Sequence, residues 1–212
     1  MDTDAALATR LARDVDAAFP DLVADHQDRL FTIALRLVGD RRDAEEVAQD
    51  ALVRAYRAMH GYPRERIAAL RLRPWLASIA VNLARNRRRR LDDRQPPGSL
   101  EPMREAGYDP PAEARSAPAT AADRRETQHE LASMLLRLQP AVRAAIVLRH
   151  VDGLSLAETA EALGRPEGTI KAQVHRGLRE LRILLETAPA PADPTPPPAR
   201  TPRMLTALEA VR

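Results

Sequence analysis

The sequence predicts an all-α protein made of two small helical domains, a three-helix bundle and a four-helix domain with a helix-turn-helix, joined by a flexible linker. Apolar residues recur at helical spacing over residues 19–90 and again over 130–185. Between them, around Pro96-Pro97-Gly98, Pro110-Pro111 and Pro118, the periodicity fails and no core is encoded. The second periodic stretch also carries cap residues spaced for a tight turn between two helices. The expected divisions are a lead-in at 1–18, a first domain at 19–92, a linker at 93–127, a second domain at 128–186 and a Pro-rich tail at 187–212.

The lead-in is Ala- and Asp-rich with weak periodicity and reads as frayed or briefly helical. From Phe19 the pattern sharpens: Leu22, Val23, His26, Leu30, Ile33, Ala34 and Leu37 trace one face of a helix of about five turns. Pro20 is expected in its first turn, and Gly39 ends it. His26 reads as a core histidine, since no partner histidine stands at i+3 or i+4. Asp40 is the expected N-cap of a second helix to Met59, with Asp43, Glu45 and Glu46 near its positive end. Its outer surface shows Glu45, Gln49, Asp50 and Arg54, by itself an ordinary solvated face. His60–Arg73 is a loop opening on Gly61 and Pro63, with a short helix expected over Ile67–Leu72. Pro74 then starts a third helix to Arg90. Trp75, Leu76, Ile79, Ala80 and Leu83 form its apolar side, and Ser78, Asn82, Arg85 and Arg89 a polar stripe opposite. The arginines of residues 85–90 exceed what capping a helix needs, which favours phosphate tracking.

In the second half, helices are expected over Glu130–Leu138 and Ala141–Val151, split at Pro140. Ser155 with Glu158 is a capping-box start for a helix carrying Leu156, Ala160 and Leu163 on one face. Gly164 suits a left-handed cap, and Pro166 stops the helix from continuing. Thr169 is the expected N-cap of the next helix, whose apolar residues are Ile170, Val174, Leu178, Leu181 and Leu185. Outward lie Lys171, Gln173, His175, Arg176, Arg179 and Arg182. Cations for phosphates and planar donors for base edges are what a helix in a DNA major groove requires.

The bulk composition bounds function less than its distribution does. The net charge is +3, but residues 64–94 carry ten arginines against three carboxylates, and residues 164–182 five cations against two. With 44% hydrophobic and 3% aromatic residues, the core is aliphatic. The absence of cysteine excludes disulfides, thiol redox chemistry, cysteine nucleophiles and thiolate zinc sites. No metal-ligand spacing, Gly-rich phosphate loop or catalytic constellation is present, so no enzyme, cofactor or metal is expected. No apolar run reaches transmembrane length, and Met1–Phe19 carries acids where a signal peptide needs an apolar core. The expected compartment is the cytoplasm.

Taken together, LFTIALRLVGDRRDAEEVAQDALVRAYRAM (30–59), PWLASIAVNLARNRRRR (74–90) and LLRLQPAVRAAIVLRHVDGLSLAETAEALGRPEGTIKAQVHRGLRELRILL (135–185) resemble bacterial RNA polymerase sigma factors of the sigma-70 family. The likeness is to the small extracytoplasmic-function (ECF) group, which keeps regions 2 and 4. The runs D-A-E-x-x-x-Q-D, W-L-x-x-I-A-x-N and G-x-P-x-G-T-I-K occur in the family's order and spacing.

The resemblance implies a factor that binds core polymerase, recognises promoter DNA and promotes strand opening. It implies that Asp43, Glu45, Glu46, Gln49 and Asp50 dock the clamp helices of the largest subunit. The flap is a second polymerase contact, and an anti-sigma factor is a candidate further partner. The loop after Met59, with Tyr62, would hold a flipped base of the minus-ten element, and Trp75, Ser78, Asn82, Arg85 and Arg89 would line the strand path. Thr169, Lys171, Ala172, Gln173, His175, Arg176 and Arg179 would meet the minus-thirty-five element. The sequence departs from the family at Ser78, where arginine is frequent, and at Ala172-Gln173, which replaces a common Ser-Arg pair. The rival reading is a stand-alone helix-turn-helix regulator that never docks polymerase; it leaves the first domain's motifs unexplained.

Overall fold

The computed structural model describes residues 3–92 and 131–187, which are helical apart from turns. Expectations for the linker at 93–127, the tail from 188 and its apolar segment Met204–Val211 fall outside the described residues.

The lead-in forms a packed helix rather than a frayed one. In α1 (Thr3–Arg13), Leu7, Ala8 and Leu11 are fully buried. They pack against α2 (Val15–Val38) and the short α4 (Arg64–Ala68), partners that no local periodicity reveals. Asp14 caps α2 by accepting from the amide of Ala17 at 3.0 Å, so this helix starts before Phe19 and Pro20 falls beyond its first turn. Gly39 closes α2 at φ +87°, donating to the carbonyl of Leu35. Leu136 packs where a side chain on Gly39 would sit, so both the backbone and the space there require glycine.

Asp40 accepts from the amide of Asp43 at 2.9 Å and starts α3 (Arg41–His60). The turn that follows enters α4 three residues earlier than expected, through Pro63. Of the anticipated Ile67–Leu72 helix, only Ile67 and Ala68 lie in α4, because Ala69 already bends the chain toward α5 (Leu72–Asp92). α2, α3 and α5 form the three-helix bundle. Its core is Leu22, Leu30, Ile33, Ala44, Ala51, Met59, Leu76 and Ala80. Burying leucine-sized side chains there contributes on the order of 1.5–3 kcal/mol each. His26 is buried in this layer, 3.8 Å from Asp4 of α1. Burial is the main cause that lowers its pKa from the ordinary 6.5.

The second unit begins with α6 (131–137) and α7 (Pro140–Ile146). The expected helix over Ala141–Val151 does not run as one α-helix: its last turn, Val147–Val151, is a π turn in which Asp152 donates its amide to the carbonyl of Val147. The wider turn keeps Val147 and Leu148 buried while it swings Asp152 back onto the first unit. α8 (Leu156–Leu163) and α9 (Glu167–Glu186) complete the helix-turn-helix. The two units are not separated by solvent: Met134, Leu135, Val142 and Val147 share one continuous core with α2, α3 and α5. This explains why α5 also buries Ala77, Val81 and Ala84 beyond its expected apolar side: α8 lies along it.

Candidate polymerase and nucleic-acid interfaces

The carboxylates of α3 divide into two sets. Asp43 is buried and turned inward, where it accepts from Arg87 of α5, including a 2.9 Å bond from Nε. Arg87 also reaches Glu46 at 2.9 Å. The hydrogen bond that Arg87 donates to Asp43 is the main cause that holds the guanidinium more firmly protonated. Asp43 therefore organises the bundle, and the Arg87 side chain, expected among phosphate-tracking arginines, is engaged inside the protein. The expected surface keeps Glu45, paired with Arg41 at 3.1 Å, and the exposed Gln49 and Asp50. An exposed i,i+4 pair of this kind leaves its carboxylate exchangeable.

At the end of the bundle, Tyr62 and Trp75 face one another with ring centroids 6.3 Å apart, and both are partly buried. The guanidinium of Arg66 from α4 lies 3.7 Å from the Tyr62 ring centroid, a cation–π stack on a small aromatic platform. Along α5, Ser78 is half-buried and donates to the carbonyl of Trp75 at 2.6 Å. Asn82, Arg85 and Arg89 are exposed on one stripe, with Arg85 donating to Asn82 at 2.8 Å.

The helix-turn-helix is built by its caps. The Ser155 hydroxyl accepts from the amide of Glu158 at 3.2 Å, and the Glu158 carboxylate accepts from the amide of Ser155 at 2.8 Å. That backbone bond is the main cause that lowers the pKa of Glu158, with Arg71 a further contributor. Gly164 sits at φ +59°, ψ +40°, and the amide of Arg165 donates to Ala160 across the turn. The next helix starts three residues earlier than expected: Pro166 occupies the N-cap, so Thr169 lies inside the first turn and donates its amide to Pro166. Thr169, Lys171, Ala172, His175, Arg176 and Arg179 are exposed.

Gln173, expected outward, is half-buried, and its side-chain oxygen is enclosed without a partner. Ile170 and Leu181 anchor the inner face, whereas Leu178 and Leu185, expected there, are exposed. Gly177 takes the inner position instead: a Cβ on it would lie 2.7 Å from Ile146 Cγ1 and 2.8 Å from Val142 Cγ1. Close approach of α7 to α9 thus replaces the apolar knob that helical spacing assigns to Leu178.

Between the α5 stripe and the helix-turn-helix lies a cleft of about 640 Å³. Asn82, Arg85, Arg88 and Arg89 line one side, and Glu161, Leu163, Gly164 and Arg165 the other. Sequence spacing carried no signal for this apposition, which joins residues some 80 positions apart.

Comparison with known proteins gives these surfaces a context. The family model described as sigma-70 region 2 matches residues 22–94, and that for sigma-70 region 4 matches residues 128–181. The ECF RNA polymerase sigma factor SigW of Bacillus subtilis is 32% identical over 171 residues, covering 78% of this chain and 87% of that protein. An RNA polymerase sigma-E factor of Streptomyces avermitilis is 34% identical over 171 residues, covering 80% and 86%. Among solved structures, CnrH in complex with the cytosolic domain of CnrY aligns at TM-score 0.64 and 25% identity, covering 89% of this chain and all of that one. The sigma factor RpoE of Bartonella quintana, solved with the anti-sigma factor NepR, shares the fold at TM-score 0.59 and 24% identity, covering 81% and 98%.

Proposed function

The chain belongs to the sigma-70 family of RNA polymerase sigma factors, in its ECF group, and from that premise we propose how its surfaces divide the work. It is a sigma factor: it binds core RNA polymerase and recognises promoter DNA. It assists strand opening by electrostatics and stacking, while nucleotide transfer stays with the polymerase, so it needs no catalytic group of its own.

The observation that carries the division of labour is the capped helix-turn-helix with Lys171, His175, Arg176 and Arg179 exposed on one helix, held in the same molecule as the α5 stripe. Arg176 and His175 read base edges of the upstream element, and Lys171 and Arg179 meet phosphates. The free amides at the start of α9, beside Thr169, favour a further phosphate. Ala172 allows close approach to the groove, and the half-buried Gln173 lies behind the reading face. Downstream, the Tyr62–Trp75 platform receives an unstacked base, and Asn82, Arg85 and Arg89 follow the displaced strand. Ser78 holds the start of α5 in place. Glu45, Gln49 and Asp50 present an acidic and polar face to the clamp helices, with Asp43 and Glu46 fixing Arg87 behind it.

The solved relatives in complex with an anti-sigma factor or a cytosolic partner domain support an anti-sigma partner here as well. No described helix is long and apolar enough to cross a membrane, and we assign the chain's work to the cytoplasm, where the polymerase is.

The test is reconstitution. Purified chain added to core polymerase is expected to co-elute with it and to start transcripts at defined sites on a bacterial promoter library. Failure to bind core, or transcription no different from core alone, overturns the assignment.

A further inference from the structure

The cleft beside α5 gathers cations over an aliphatic floor. It is bounded by α5, by the start of α7, and by the end of α8 with its turn. Its walls are fixed relative to one another. Arg143 of α7 donates to the carbonyl of Leu37 at 2.8 Å, and Arg71 reaches Glu161 of α8 at 2.8 Å. Asp152 accepts from Arg29 of α2 at 2.5 Å, a third tie between the two units. The cavity is therefore preformed, and its volume of about 640 Å³ lies within the range of about 300–1,000 Å³ that small-ligand sites occupy.

The charge inside it is unbalanced. Arg85, Arg88, Arg89 and Arg165 line the cleft, and among the described residues none of them has a carboxylate partner. Arg85 donates to the neutral Asn82. Arg143 also belongs to the lining, but it is buried and directs its donors to the carbonyls of Leu37, Leu136 and Leu138. Glu161 is the one carboxylate among the described lining residues, and Arg71 already pairs with it. Guanidiniums of both units thus converge where no described carboxylate neutralises them. A cavity with low-dielectric walls focuses their field on whatever enters.

The floor between the arginines is aliphatic, built from the buried Leu37, Val81, Ala84, Ala144 and Ala162. No aromatic side chain among the described residues lines it, so a flat nucleobase has nothing to stack on. Guanidinium forks meet phosphate oxygens in pairs. A head with several oxygens engages arginines of α5 and of the turn together, whereas a carboxylate offers two oxygens. Four guanidiniums also match two phosphates better than one. We propose that the cleft is a binding site for a small aliphatic diphosphate ester. Arg88 and Arg165 hold the head, and the hydrocarbon body lies on the floor of Val81 and Ala144. Arg85 and Arg89, exposed at the rim, meet the outer oxygens.

Binding is tested on the full chain alone, by titration calorimetry with geranyl diphosphate, inorganic diphosphate and geraniol as probes. Geranyl diphosphate is expected to bind at least about tenfold more tightly than inorganic diphosphate, and geraniol not measurably. Arg88→Gln with Arg165→Gln should weaken the ester by about tenfold or more. Arg165→Gln alone, at an exposed turn position, makes the same measurement if the pair fails to fold. Ala141→Trp, at a half-buried lining position, should bring the ester down to the affinity of the inorganic head. Equal binding of ester and inorganic diphosphate overturns the proposal and leaves the arginines to nucleic-acid phosphates. Unchanged affinity in the arginine variants, or no saturable binding of the ester, overturns it as well.

The consequence for transcription rests on the sigma-factor assignment, in which Arg85 and Arg89 also follow the displaced strand. An occupied cleft then competes with that strand. Reconstituted transcription by the parent should fall several-fold with saturating geranyl diphosphate, and transcription by Ala141→Trp should not, which also controls for magnesium chelation by the diphosphate. An equal response of the two proteins overturns the competition. If the parent is inactive without ligand, the sigma-factor assignment is what fails, and the site is judged by the calorimetry.

Discussion

Gly177 of α9 rests directly on Ile146 of α7, at a separation where even a methyl group would sit 2.7 Å from Ile146 Cγ1. The position decides how deeply the DNA-facing helix is seated, and its neighbours Ile146 and Val142 are β-branched side chains fixed in the core. Gly177→Ala is therefore expected to destabilise the fold by about 1–3 kcal/mol through overpacking, despite alanine's better helix propensity. Urea unfolding followed by circular dichroism measures it; a stabilised variant would show that α9 can lift off α7 freely.

Arg176 is exposed on the outer face of α9, two turns from its start. Arg176→Ala is expected to weaken binding to the preferred upstream duplex by about 1–3 kcal/mol and to flatten discrimination at one base pair. Competition binding against single-base variants provides the measurement. An equal loss on every sequence would reassign Arg176 to a phosphate.

Two carboxylates seven residues apart on α3 should behave oppositely. Asp43→Ala removes the buried partner of Arg87 and should lower stability by about 1.5–3 kcal/mol, the range for hydrogen bonds to charged groups. Asp50→Arg, on the exposed face, should leave the melting temperature unchanged and weaken core polymerase binding several-fold. Paired melting and binding curves separate the two. Unchanged affinity in Asp50→Arg would remove that face from the docking surface.

His26 supplies a pH dependence. Its folded pKa lies below the ordinary 6.5, chiefly from burial, so the unfolded chain takes up a proton before the folded one does. The stabilisation is fully present above about pH 6.5 and is lost as pH falls toward the lower folded value. Asp4 and Asp25 oppose the shift, and Arg29 and Arg73 add to it. Stability measured from pH 7.5 down to 5.5 should slope downward in the parent and less so in His26→Gln; equal slopes would refute the assignment.

Much of the fold was legible because it is encoded locally. The Asp40 cap, the Ser155–Glu158 box, Gly39 and Gly164 stand within a turn of the backbone groups they satisfy, and the structure uses each of them. What escaped depends on partners distant in sequence. α1 has only Leu7, Ala8 and Leu11 to bury, and their partner α4 lies some 55 residues on. Asp43 was placed with the docking carboxylates by the family resemblance, yet an arginine 44 positions away turns it inward. The α9 stripe was assigned to Leu178 because glycine carries no hydrophobic signal, although the closest helix contact falls on Gly177. Within the candidate interfaces, exposure agrees with the sequence at Gln49, Asp50, Asn82, Arg85, Lys171 and Arg176, and departs from it at Asp43 and Gln173.

The single core that runs from α2 through Val142 and Val147 has a thermodynamic consequence. Neither half can lose its packing without stripping apolar cover from the other, so heat melts the pair as one cooperative body. A partner that draws the halves apart divides that body into two smaller ones, each with less enthalpy to lose and a broader transition. The calorimetric width of the melt is thus a label-free gauge of whether the two halves share one core.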